Sequence, residues 1–101
     1  MKTPAQHFAE CDSLPIEVRI DRLKSKAIKV FGTDDEVIKR FQIGSFGHHE
    51  LSDRAWILNE NWESYIQEHP TNAFIPEAAA LGEVIGQLLH EYYQIVACEE
   101  Q

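Results

Sequence analysis

The sequence predicts an all-α protein, a small helical bundle of three substantial helices and one short one. Two observations carry that reading. Apolar residues recur at alternating steps of four and three along three stretches, the spacing of a single helix face. No stretch alternates apolar and polar residues as a half-buried strand does, and no repeat or low-complexity tract interrupts the pattern. At 101 residues the chain has the length of one domain, and its 44% apolar fraction suffices for a modest core.

Residues 1–12 lack periodicity and are expected to form an N-terminal arm, which leaves 13–101 as a single helical domain. Ser13 is a candidate cap and Pro15 suits a first helical turn. Ile16, Ile20, Leu23, Ala27 and Val30 then trace one face, and Gly32 is placed to end the helix in a left-handed conformation. Thr33-Asp34-Asp35-Glu36 has the form of a capping box, in which the Thr hydroxyl and the Glu carboxylate satisfy each other's backbone amides. A short helix carrying Val37, Ile38 and Phe41 should follow it to about Gln42, stopped by Gly44.

Residues 44–51, with two glycines and two histidines, read as a loop before a third helix capped by Ser52. Ala55, Leu58, Trp62 and Tyr65 or Ile66 would line its buried face, and His69-Pro70 would close it. TNAFI reads as a linker, and Pro76-Glu77 as the start of a last helix with Leu81, Ile85, Leu88, Tyr92 and Ile95 on one face.

Net charge is −8, and it is unevenly placed. Residues 1–43 carry eight Lys/Arg against seven Asp/Glu, whereas residues 44–101 carry Arg54 alone against ten acids. Phosphate binding needs clustered cations, so direct nucleic-acid binding by the second half is not expected. A helix-turn-helix is set aside on the same ground and because the expected connection, about ten residues, exceeds that motif's turn. An acidic surface does complement proteins that themselves bind nucleic acid. The solvent-facing Glu60, Glu63 and Glu68 are therefore candidate partner contacts, and Trp56 is a candidate anchor if it faces outward.

Catalytic and metal chemistry find little support. Adjacent histidines on a loop, as His48 and His49 are read, seldom point at one ion, and His7, His69 and His90 are scattered; there is no HExxH, and no His follows a Glu by three residues. Cys11 and Cys98 lie near opposite ends; a terminal disulfide is one reading, and two free thiols in a reducing cytoplasm is the expected one. No glycine-rich phosphate loop follows a strand. The expectation is a cytoplasmic, non-enzymatic protein with no metal, no cofactor and no membrane contact.

Two further patterns stand out. Arg19, Arg22, Lys26 and Lys29 form a basic stripe beside the first apolar seam, either a solvent face or a docking edge for an acidic partner. Ala78, Gly82 and Gly86 repeat every four residues in the last helix. Each mid-helix Gly costs about 1 kcal/mol against Ala, so a compensating close approach is expected. Internal packing on a tryptophan is one candidate and a homodimer seam is the other.

The run AIKVFGTDDEVIKRFQI, residues 27–43, resembles the start of the toxin-binding domain of Xre/MbcA/ParS-type antitoxins, where a helix ends in a VFG-like turn before an acidic-capped short helix. It covers about a sixth of the chain, and that family's later proline- and glycine-rich turn is not evident. The resemblance implies an antitoxin-like protein whose first two helices cover a toxin. In size, charge and lack of catalytic motifs the whole chain is similar to the small acidic helical accessory proteins of phages and mobile elements, anti-CRISPR proteins among them. That likeness implies an inhibitor or modulator of a host protein, and no residue can be carried over from it.

Overall fold

In the computed structural model the described residues are Gln6 and 15–98. Gln6 apart, the expected arm over 1–12 lies outside them with its Cys11, and so does the candidate cap Ser13. The fold is all-α, with helices α1 (Ile16–Phe31), α2 (Asp34–Phe41), α3 (Phe46–Asn61) and α4 (Pro76–Cys98) and no strand among the described residues. A π-helix, Trp62–Gln67, continues α3, and a 3₁₀ turn, Pro70–Phe74, leads into α4. The chain divides into two compact units, residues 1–42 and 43–101, where the sequence had suggested a single domain over 13–101. Its charge asymmetry falls at almost the same place.

The first unit holds α1 and α2. Pro15 stands at the N-cap of α1 without a side-chain hydrogen bond, and its carbonyl accepts from the amides of Val18 (3.1 Å) and Arg19 (3.3 Å). Gly32 ends α1 at φ +123°, a conformation a Cβ would strain, and its amide donates to Ile28 O. The capping box forms as expected: the Thr33 amide donates to Glu36 Oε2 at 3.3 Å, and the Glu36 amide to Thr33 Oγ1 at 3.4 Å. Ala27, Ile28 and Val37 are half-buried, and no described residue of this unit is fully buried.

In the second unit the expected loop is helix. Ser45, not Ser52, is the N-cap of α3, its Oγ accepting the His48 amide at 3.3 Å. The link from α2 shrinks to residues 42–45, so the length objection to a helix-turn-helix falls. The charge objection stands, since α3 sets Glu50, Asp53 and Glu60 against Arg54 alone.

The buried face of α3 also differs from the apolar one. His48, Ser52 and Ala55 are buried and Asn59 and Trp62 half-buried, whereas Leu58, Tyr65 and Ile66 are exposed. Along α4 Leu81 and Ile85 of the expected face are half-buried, together with Gly86, Leu89, Tyr93 and Val96 around the buried Gly82, while Leu88, Tyr92 and Ile95 are exposed. The physical reason is close approach: α3 offers α4 a face of small and hydrogen-bonding side chains, and the bulkier apolar residues are turned aside. Ala55 is the one buried apolar side chain among the described residues.

Candidate protein-docking surface

The second unit is held together by polar ties spaced along its length. At one end, His48 Nδ1 accepts from the Gly44 amide at 2.8 Å, and its Nε2 lies 2.8 Å from Val96 O. The geometry calls for the neutral ring with its proton on Nε2. Val96 lies in the last described turn of α4, so a single imidazole ties the start of α3 to that turn. Further along, the Trp56 ring lies 5.2 Å from that of Tyr93, and Asn59 Nδ2 lies 3.4 Å from His90 Nδ1.

At the other end Trp62 Nε1 donates to Gly82 O at 3.0 Å, and the side-chain oxygen of Gln67 occupies the space a Cβ on Gly86 would need. Trp62 and Gln67 are five residues apart. On an α-helix they would diverge; the π turn, with its i→i+5 bonds such as Glu68 N to Glu63 O, turns both toward α4. Asn72 Nδ2 then donates to Ile66 O (2.6 Å) and Gln67 O (3.1 Å), satisfying carbonyls where the π turn stops. His69 Nδ1 accepts the Thr71 amide at 3.1 Å and caps the 3₁₀ turn.

The glycine stripe is thus engaged within the chain at two points. Gly82 and Gly86 face Trp62 and Gln67, and Ala78, one turn before them, is half-buried. For Ala78, Gly82 and Gly86 as a seam for a second copy, the space is taken at Gly86 by Gln67 and is open at Gly82, where a Cβ would meet nothing within 4 Å.

What the unit shows outward is acidic and apolar together. Glu60, Glu63, Glu68, Glu77, Glu83 and Glu91 are all exposed, and no ion pair among the described residues engages them. The single cation, Arg54, reaches Glu50 at 3.3 Å, and Asp53 lies 3.4 Å from His49 Nε2. Between the acids stand Tyr65 and, in the 3₁₀ turn, Phe74, exposed to 69% and 84%. Such a protruding aromatic among charges is the make-up of an interface anchor with a polar rim.

The structure thus leaves the sequence's Glu60, Glu63 and Glu68 in solvent. Trp56 is 44% exposed, and its ring packs against that of Tyr93. Arg22, Lys26 and Lys29 are exposed on α1 of the first unit and Arg19 is half-buried there, so the basic stripe belongs to a different unit from the acidic surface.

Sequence reasoning missed Phe74 and His48. Phe74 sat in a stretch read as linker, where nothing distinguished an outward ring from a packed one. The signal for His48 was Gly44-Ser45 just ahead of it, a stop and a cap adjoining.

Among the described residues no three His, Cys, Asp or Glu side chains converge to hold a metal, Cys98 is a free exposed thiol, and no helix is long and apolar enough to cross a membrane. No protein-family model, curated protein or solved structure matches the chain.

Proposed function

We propose that the chain is a non-catalytic, cytoplasmic interaction protein whose acidic second unit docks onto a basic protein surface, in particular the groove of a host protein that handles nucleic acid. The observation that carries this is the set of six exposed glutamates, none with an ion pair among the described residues, on the same unit as the exposed rings of Tyr65 and Phe74. Carboxylates at helical spacing offer a basic groove what a phosphate backbone offers it, and exposed aromatics supply apolar area that charge alone lacks. The phage or mobile-element setting, with the chain inhibiting or modulating its partner, rests on the likeness in size and charge.

The test is capture of a partner from host extract with duplex DNA as competitor. The expected result is a nucleic-acid-binding protein that DNA displaces and added salt releases. Replacing Glu60, Glu63 and Glu68 by Gln together should weaken its retention about tenfold, consistent with a few tenths to 1 kcal/mol for each exposed charge. Retention that neither DNA competition nor the triple variant reduces would end this reading.

A further inference from the structure

The first unit carries an interaction surface of opposite character. Along the α1 seam Ala27 is half-buried, and Ile16, Ile20, Leu23 and Val30 are exposed, Leu23 to 67% and Val30 to 66%. Beside it opens a pocket of about 270 Å³ lined by Leu23, Lys26, Ala27, Val30, Phe31 and Phe41. Its aromatic wall is set in place by packing within the unit. The rings of Phe31 and Phe41 meet edge to face at 4.9 Å, across the turn that Gly32 makes. The Arg40 guanidinium lies over both, 4.9 Å from the first centroid and 5.6 Å from the second.

Charge selects the occupant. Positions 19, 22, 26 and 29 fall on one flank of the seam in helical register, so its edge carries Arg19, Arg22, Lys26 and Lys29. No ion pair among the described residues occupies Arg22, Lys26 or Lys29. An apolar groove with one cationic edge fits an amphipathic helix whose apolar ridge is flanked by Asp or Glu. A second copy is the poorer fit, because antiparallel pairing of two α1 helices across a two-fold axis brings basic stripe against basic stripe.

We propose that the α1–α2 hairpin binds an acidic amphipathic helix of a partner protein, with one apolar side chain of that helix seated in the pocket between Leu23, Val30 and Phe41. The surface lies wholly in residues 1–42, so this proposal stands or falls separately from the role of the acidic unit.

The test uses the full chain and two fluorescein-labelled synthetic helices that share a leucine ridge, one with glutamate flanks and one with lysine flanks, titrated by anisotropy. The glutamate helix should bind at least tenfold more tightly than the lysine helix and lose affinity as salt rises. Leu23→Glu, an exchange at an exposed position, should cut binding more than tenfold, and the double variant Lys26→Glu, Lys29→Glu about tenfold, with far-UV circular dichroism unchanged in both. Equal affinity for the two helices, or binding indifferent to Leu23→Glu, would overturn the proposal. So would absence of peptide binding together with a dimer that sediments as one and dissolves on Leu23→Glu, since the seam would then belong to a second copy.

Discussion

His48 shows how much one side chain decides in a hairpin with so little apolar core. Both ring nitrogens are used, one on the Gly44 amide and one on Val96 O, and the ring is buried. His48→Ala would leave both groups without their partner and open a small cavity, so a loss of about 2–3 kcal/mol is expected. Urea denaturation followed by tryptophan fluorescence measures it, because Trp56 and Trp62 both lie in the second unit. A midpoint equal to that of the parent chain would mean the tie contributes nothing.

The two helix glycines should respond differently. A Cβ on Gly82 meets nothing within 4 Å, so Gly82→Ala should stabilise the unit by about 1 kcal/mol through helix propensity. At Gly86 the Gln67 side chain must first move aside, and the gain from Gly86→Ala should be smaller or absent. Comparing the two melting temperatures checks this ordering.

At the scale of elements, α2 is eight residues long, too short to persist on propensity alone, and its capping box is its chief local support. Thr33→Ala should therefore cost about 1 kcal/mol, read as faster hydrogen exchange of α2 amides with α3 and α4 unaffected. This helix was legible in sequence because capping is local chemistry: four consecutive residues carry the whole signal. The faces of α3 and α4 were not. Apolar periodicity found Ala55, Trp62, Leu81 and Ile85, which are buried or half-buried, but it also pointed to Leu58, Leu88, Tyr92 and Ile95, which are exposed, and passed over His48, Ser52, Asn59, Gly82, Gly86 and Tyr93. A pattern search counts apolar residues, and here the contact is made by small and hydrogen-bonding ones. The π turn compounds the error, since it rotates everything after Trp62 relative to an unbroken α-helix.

At the scale of the molecule, charge and burial are the informative quantities. Residues 44–101 carry one cation against ten acids, and six of those acids stand exposed without a described ion-pair partner. Like charges held close on one hairpin repel, so sodium chloride should raise the melting temperature of this unit by screening them. A melting temperature indifferent to salt would show that the acids are too far apart to oppose folding, and would weaken their case as a concentrated docking surface. The first unit has no buried residue among those described, and its α1 and α2 amides should exchange faster than those at the centre of α3 and α4.

By itself the sequence determined the all-helical class, the ends of α1 and α2, the start of α4 and the acidic second half. Each of these follows from residues close along the chain: a cap, a glycine, a proline, a count of charges. Only the tertiary structure decided which faces close, that His48 is a tie and not a loop residue, that Gly86 makes room for Gln67 while the Gly82 carbonyl holds Trp62, and that Phe74 points outward. Those outcomes depend on which groups from distant segments can approach closely enough to bond, and sequence spacing carries no information about that distance.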